Sequence, residues 1–264
     1  MTWILAYIAL GSAVGFLAGL LGIGGGLLIV PMLTFLFTAH GFTQEYILHL
    51  ALGTSLASIA FTSVSSLWSH HKRNAVIWKA VIAITPGIII GTFGGSYIAA
   101  RLSTHFLKGF FSLFLYYVAT QMLIGMKPKP TRTLPKAPGM IGAGGIIGAF
   151  SSLVGIGGGS LSVPFLSWCN ASMHQAIGTS AAIGFPIAVS GGVGYVINGL
   201  KVSGLPPHTL GFVHLTSLFG IAATSVLTAP LGAKLAHRMP VDKLKKLFAF
   251  LLYVIATKMF VSLI

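Results

Sequence analysis

Two glycine-rich stretches contain the residues with the clearest chemical potential in this sequence. They read Gly22-Ile-Gly-Gly-Gly26 and Gly155-Ile-Gly-Gly-Gly159, and each lies inside a long apolar segment. Because each glycine costs a helix about 1 kcal/mol relative to alanine, both stretches predict a helix break. A helix that restarts after a break presents unpaired N–H groups and the positive end of its dipole, which suit an anion. We therefore predict that an anionic substrate binds to Gly24, Gly25, Gly26, Gly157, Gly158 and Gly159.

Close helix packing by small residues is the alternative explanation for both stretches. Binding is favoured because the glycines recur at corresponding places in two similar segments. Pro31 and Pro164 follow them, and proline also disfavours an uninterrupted helix.

Hydroxyl groups form a second paired feature. Gly53-Thr54-Ser55 and Gly178-Thr179-Ser180 lie in two other apolar segments that resemble each other. Such hydroxyls either bond to their own backbone one turn back or complete the donor shell of an oxyanion, and both explanations stay open. The predicted substrate-binding set therefore also includes Thr54, Ser55, Thr179 and Ser180.

Several other chemistries lack the residues that they need. The only acidic residues, Glu45 and Asp242, lie at predicted segment edges, which disfavours coupling through a buried carboxylate. Cys169 and scattered histidines give no metal-ligand spacing, and the glycine stretches lack the Lys and Ser or Thr of a P-loop. A serine hydrolase would need a G-x-S-x-G motif or a paired base, and the sequence offers neither. We predict no catalytic residue, no metal site and no cofactor.

The elements that would position these residues are membrane helices. Hydrophobic residues make up 55% and charged residues 7% of the 264 positions, whereas soluble domains carry about 25% charged residues. Apolar stretches long enough to cross a hydrocarbon core of about 30 Å recur along the chain, including an N-terminal segment that we expect to be retained. The net charge of +14 lies in the loops, where orientation in a membrane explains it better than nucleic acid does.

The chain contains two copies of one unit. Three pairs of segments match in the same order: 19–33 with 152–166, 51–66 with 176–191, and 107–122 with 244–259. The predicted helical elements span 3–38 (interrupted near the glycines), 46–69, 76–100 and 104–125, with second copies at 139–168, 173–198, 206–236 and 241–264. Strands are not expected, because these runs are apolar on every side. The predicted domains are a first transmembrane repeat at 1–126, a basic cytoplasmic linker at 127–138 and a second transmembrane repeat at 139–264.

Positive charges predict how the copies are oriented. If the first element of each copy is a helical hairpin, 12 of the 16 Lys and Arg residues share the cytoplasmic side. A single crossing would instead divide them almost equally, so a hairpin is favoured. Besides its hairpin, which returns to the side it entered from, each copy then crosses the membrane an odd number of times. The second copy therefore starts on the opposite side from the first, so the two copies are inverted repeats, a pattern typical of transporters. Whether each hairpin is re-entrant or crosses twice stays open.

The doubled glycine-proline motif, the ALGTSLAS and AIGTSAAI segments, and SHHKRNAVIW after the second element resemble the sulfite exporter TauE/SafE family of bacterial membrane transporters. The resemblance covers essentially the whole chain. It implies a polytopic inner-membrane permease, not an enzyme, that moves sulfite, sulfonates or related organosulfur anions. The basic loop of the first copy is replaced in the second by residues 195–201 with the single Lys201, which fits an outward-facing loop.

These features predict an all-α polytopic membrane protein of two inverted-topology repeats, each a glycine-broken helical hairpin plus three transmembrane helices. The expected function is a permease for small sulfur oxyanions such as sulfite or organosulfonates, working by alternating access. An anion channel, or a permease for another small organic anion, is the alternative. The expected partners are a small anionic substrate and the lipid bilayer, with no nucleic acid, and a homodimer is left open. The expected location is the bacterial cell inner (cytoplasmic) membrane, with both termini on the non-cytoplasmic side.

Overall fold

The computed structural model describes residues 2–21, 25–124, 132–236 and 241–263. Within these ranges the chain forms ten helices and one pair of two-residue strands. The helices are α1 (Thr2–Leu21), α2 (Gly26–Ala39), α3 (Ile47–His71), α4 (Trp78–Ala99), α5 (Thr104–Ile124), α6 (Ala137–Val154), α7 (Gly159–Trp168), α8 (Met173–Gly199), α9 (Leu215–Ala236) and α10 (Val241–Val261). The strands are β1 (Thr209–Leu210) and β2 (Val213–His214).

The helices have the length and composition of a polytopic membrane protein. Among the described residues, five helices are long and apolar enough to cross a membrane, namely α3, α4, α5, α6 and α8. Large apolar side chains such as Ile82, Ile90, Leu113 and Leu227 lie largely exposed on the outside of the bundle. Such a surface would be unfavourable in water and matches the acyl chains of a bilayer.

Each glycine stretch separates the two arms of a helical hairpin. The ring of Trp3 at the start of α1 stacks on His40 just after α2, with ring centroids 4.3 Å apart. In the second half, the N–H of Arg132, ahead of α6, donates to the carbonyl of Trp168 at the end of α7, at 3.3 Å. The returning arms are short: α2 has 14 residues and α7 has 10. At 1.5 Å per residue these arms measure about 21 and 15 Å, less than the roughly 30 Å of a hydrocarbon core.

The two most closely packed helix pairs each join one half of the chain to the other. Gly11 and Gly15 of α1 pack against Ile221 and Ser225 of α9, so this pair runs parallel. The pair α4 and α6 repeats the arrangement in parallel, with contacts of Gly87 with Ile141 and of Gly91 with Gly145. Glycines on these faces let the two backbones approach closely, as in small-residue packing of membrane helices.

Corresponding helices of the two halves pack antiparallel. The hydroxyl of Tyr116 in α5 lies 2.7 Å from that of Thr257 in α10. One turn further along α5, the hydroxyl of Thr120 lies 2.6 Å from that of Tyr253, one turn earlier in α10. The central pair of α3 and α8 also runs antiparallel, because Gly53 faces Tyr195 while Leu56 faces Gly191.

Two predicted boundaries are wrong. The segment expected to be helical from residue 206 begins its helix only at Leu215, and within it β1 pairs with β2 in antiparallel register. Two prolines at 206 and 207 and the left-handed Gly211, with φ 54°, oppose an earlier helix. In contrast, α6 begins two residues before its predicted start, because Pro138 fits the first turn of a helix. Residues 127–131 of the predicted linker lie outside the described residues.

Candidate anion-binding centre

Left-handed glycines start both returning arms. Gly25 precedes α2 with φ 66°, and Gly158 precedes α7 with φ 77°. Gly155 ends α6 with φ 67°. Residues with a Cβ rarely adopt this conformation, so glycine is required at these three positions. The predicted site residue Gly24, with the neighbouring Gly22 and Ile23, lies outside the described residues.

The N-terminal ends of α2 and α7 have free donors. No side chain caps either helix in the described part of the chain. The carbonyl of Gly158 accepts from the N–H groups of Leu161 and Ser162, at 3.0 and 2.8 Å. The N–H groups of Gly159 and Ser160 have no acceptor among the described residues. They are the unpaired donors that a helix start offers to an anion.

The structure brings the two breaks together. A Cβ added to Gly26 would lie 2.7 Å from the carbonyl oxygen of Gly155 and 3.0 Å from the Cα of Ile156. A Cβ on Gly157 would lie 3.0 Å from a methyl of Ile59 in α3. The glycines therefore serve close packing between the halves, and they do so at the same place where the free helix starts lie. Of the predicted glycines that the structure describes, Gly26 is the one that directly meets the second break.

Of the two predicted serines, Ser55 contacts the second break directly and Ser180 contacts it through Ser162. Ser55 in α3 donates from its hydroxyl to the carbonyl of Gly155, at 2.7 Å. The hydroxyl of Ser162 donates to the carbonyl of Gly158 at 2.8 Å, and it lies 2.7 Å from the hydroxyl of Ser180 in α8. Both serines are buried.

The two predicted threonines bond to backbone of the opposite half. The hydroxyl of Thr54 accepts from the N–H of His214, which immediately precedes α9, at 2.9 Å. The hydroxyl of Thr179 accepts from the N–H of Ile77, which immediately precedes α4, also at 2.9 Å. Neither acceptor bond is to the threonine's own helix. The two bonds are equivalent in the two halves, and each positions the start of a long helix.

The glycine before each threonine makes room for this contact. A Cβ on Gly53 would collide with the carbonyl of Phe212, and one on Gly178 would collide with the carbonyl of Ala75. The Gly-Thr pairs are therefore clamps between the halves. A role of the threonine hydroxyls as donors to a substrate stays a prediction.

Three buried serine hydroxyls near the second break were missed by sequence reasoning, those of Ser151, Ser160 and Ser162. Ser151 and Ser160 have no hydrogen-bond partner for their hydroxyl oxygen among the described residues. The hydroxyl of Ser151 lies 3.5 Å from the position that a Cβ on Gly158 would take. A residue-by-residue comparison of the two glycine stretches would have found them, because the first stretch has no serine at these positions.

The buried polar side chains in the described ranges are hydroxyls and two histidines, with no Lys, Arg, Asp or Glu. The first histidine, His49, approaches the carbonyls of Ala99 and Leu102 with its Nε2, at 3.0 and 3.1 Å. It ties α3 to the end of α4. In the same ranges no group of three His, Cys, Asp or Glu could hold a metal ion. The donors around the breaks are therefore uncharged.

The second histidine, His214, lies just outside the helices. Its Nδ1 is 2.7 Å from the hydroxyl of Ser217, and its ring packs against Phe37 and Phe42. Burial, with a smaller contribution from electrostatic repulsion by His40 and His208, lowers the pKa of His214 to about 4. The imidazole is therefore neutral at pH 7.

A bundle of long apolar helices of this kind, with apolar side chains on its outer surface, defines a polytopic membrane protein. The family model of the sulfite exporter TauE/SafE matches residues 7–259. The chain belongs to this family.

Curated relatives cover nearly the same length. A "probable membrane transporter protein" of Haemophilus influenzae is 38% identical over 262 residues, which are 99% of each chain. A protein of the same description from Methanocaldococcus jannaschii is 30% identical over 226 residues, 85% of this chain and 80% of its own. Another, from Bacillus subtilis, is 30% identical over 248 residues, 88% of this chain and 89% of its own. No solved structure matches the chain at a significant level.

Proposed function

We propose that the protein is a permease for small sulfur oxyanions such as sulfite or organosulfonates. The observation that carries this proposal is the meeting of two glycine breaks in a centre whose described polar groups are all uncharged. Free N–H groups and hydroxyls stabilise an anion through fixed dipoles. A cation placed there would lose its hydration without gaining a counter-charge. The name of the matching family points to the same class of substrate.

Uncharged donors also suit a site that must release its substrate. An anion held by a buried Arg or Lys would gain strong charge-assisted hydrogen bonds. Hydroxyl and backbone donors give weaker bonds, so the bound anion can exchange with those in solution. We propose the described glycines of the breaks, with Ser55 and Ser180, as the lining of this site.

Transport would proceed by alternating access between two inverted repeats. The antiparallel packing of α3 with α8 and of α5 with α10 supports this, because corresponding helices of inverted repeats run in opposite directions. The parallel pairing of α1 with α9 and of α4 with α6 supports it as well. With the basic loops in the cytoplasm, both termini would face the non-cytoplasmic side of a bacterial inner membrane.

Uptake into proteoliposomes tests the proposal. The purified protein is reconstituted, and the accumulation of labelled sulfite, labelled taurine and the cation methylammonium is measured against protein-free vesicles. We expect saturable uptake of sulfite, of taurine, which carries an anionic sulfonate headgroup, or of both, with inhibition by the unlabelled compound and no uptake of methylammonium. Methylammonium uptake above that of the anions would refute the anion site. Anion flux that does not saturate and carries a passive current would identify a channel instead.

A further inference from the structure

The two glycine breaks have similar sequences but different neighbouring side chains. Residues 18–33 align with 151–166 without a gap, and Ile23 and Pro31 fall on Ile156 and Pro164. Four positions without a hydroxyl in the first copy are serine in the second: Ala18 to Ser151, Gly19 to Ser152, Leu27 to Ser160, and Ile29 to Ser162. All four changes lie within one or two turns of the break. Hydroxyl donors are therefore concentrated at the second break.

The structure places the first of these positions at the same point in both halves. A Cβ on Gly25 would lie 3.4 Å from the Cβ of Ala18, and a Cβ on Gly158 would lie 3.5 Å from the hydroxyl oxygen of Ser151. The hydroxyl of Ser151 thus points at the start of α7, where the first copy has only a methyl group.

The hydroxyl of Ser151 has no hydrogen-bond partner in the described part of the chain, although the residue is fully buried. Buried hydroxyls in native proteins nearly always have a partner. The next residue, Ser152, is equally buried and behaves as expected, because its hydroxyl donates to the carbonyl of Ala149 at 2.9 Å. Ser151 makes no such bond to a carbonyl of its own helix, so its hydroxyl can donate to another acceptor.

Other donors without a described partner lie in the first turn of α7. The hydroxyl of Ser160, in the first turn of α7, is also buried and unpaired among the described residues. The N–H groups of Gly159 and Ser160 likewise have no acceptor within the described ranges. Helix α7 is 10 residues long and starts with its positive dipole end at this point.

We propose that the second break alone holds the negatively charged headgroup of the substrate, with Ser151 and Ser160 as hydroxyl donors beside the free N–H groups of α7. This proposal rests on the proposed function and adds which half binds the charge. The first break has Ala18 and Leu27 at the equivalent positions, so it adds no hydroxyl donors to the N–H groups of α2. The chemistry selects an oxyanion with several acceptor oxygens, such as sulfite or a sulfonate.

The test compares single hydroxyl deletions. Ser151→Ala and Ser160→Ala are measured beside Ser152→Ala, whose hydroxyl already has a partner and so serves as the matched control. Binding of sulfite and taurine is measured by titration calorimetry in detergent, and uptake in proteoliposomes. Loss of a hydrogen bond to a charged group should raise Kd about 10- to 100-fold in the first two variants. The control should change Kd less than about threefold.

A second readout separates binding from folding. Removing an unpaired buried hydroxyl deletes no protein contact, so the substrate-free melting temperature of Ser151→Ala should equal or exceed that of the wild type. A purely structural hydroxyl would instead lower it, and a lower melting temperature with unchanged Kd would overturn the proposal. If Ser151→Ala and Ser160→Ala both bind with the wild-type Kd, the proposed headgroup site is overturned, but the proposed function as an anion permease is not. A wild-type protein that neither binds nor moves sulfite and taurine would overturn the proposed function and this site together.

Discussion

Replacing Thr54 by Val removes one clamp between the halves with little change in side-chain shape. The threonine hydroxyl accepts the N–H of His214, and both residues are buried. Valine offers no acceptor, so this N–H would stay buried without a partner. The equivalent change, Thr179→Val, does the same to the N–H of Ile77. We expect both variants to lose stability, because a buried donor then keeps its desolvation cost without the bond that offsets it.

The size of the effect follows from that cost. An unpaired buried donor costs about 1–3 kcal/mol. Since about 1.4 kcal/mol is a factor of ten in an equilibrium constant, the unfolded fraction should rise roughly 5- to 150-fold. For a protein of this size, 1 kcal/mol shifts the melting temperature by about 2–4 °C, so we expect a fall of about 2–12 °C.

The assay is thermal unfolding of purified protein in detergent, followed by intrinsic fluorescence. Thr62→Val is the matched control, because the hydroxyl of Thr62 only donates to carbonyls of its own helix α3. Its removal leaves those carbonyls in their helical bonds and should cost little. Thr54→Ser keeps the acceptor oxygen and should retain most of the stability. Equal melting temperatures for Thr54→Val and Thr62→Val would refute the clamp.

Three further predictions concern the site, the orientation and the response to pH. Gly158→Ala should lower uptake at least about tenfold while the protein still inserts into the membrane. The new Cβ is strained at φ 77° and lies beside the Ser151 hydroxyl. Wild-type uptake in this variant would assign the break to packing. In a Cys169→Ser background, an impermeant thiol reagent added outside cells should label a Cys at position 201 but not one at position 132, and equal labelling would contradict inversion. Burial lowers the pKa of His214 to about 4 in the folded protein, from about 6.5 in the unfolded chain. Below about pH 6.5 the unfolded chain therefore binds a proton that the folded protein does not bind. The contribution of neutral His214 to stability is complete above about pH 6.5 and is lost as the pH falls to about 4. The melting temperature should therefore fall over that range, and less so in His214→Gln; the same slope in both would exclude His214 as the cause.

Most helices could be predicted from the sequence because a membrane helix depends on local composition. Apolar runs of about 20 residues, bounded by basic or polar loops, defined α3, α4, α5 and α8 to within a few residues. The glycine stretches indicated where the first element of each half would break. The start of α9 could not be predicted in the same way. A two-residue strand pair depends on contacts between neighbouring segments, and the apolar composition of 206–214 resembles that of a helix end.

The site was predictable only in part. Glycine spacing identified the breaks, since left-handed backbone needs glycine wherever it occurs. The partners of Thr54 and Thr179 could not be predicted, because they come from the opposite half, more than 100 positions away. Ser151 had no local signal either. A single serine in an apolar helix usually bonds its own backbone, and only its environment in the fold shows that this one does not.

The exchanged Gly-Thr clamps also constrain how the sequence can change over time. Positions 53 and 54 of the first half fit the backbone at 212–214 of the second, while 178 and 179 fit 75–77 of the first. After a duplication, two copies usually diverge independently. Here each clamp meets backbone groups of the other copy, so its glycine and threonine are constrained while the side chains at the partner positions can change. Chimaeras that join the first half of one relative to the second half of another should consequently keep these contacts wherever both halves retain the Gly-Thr pair.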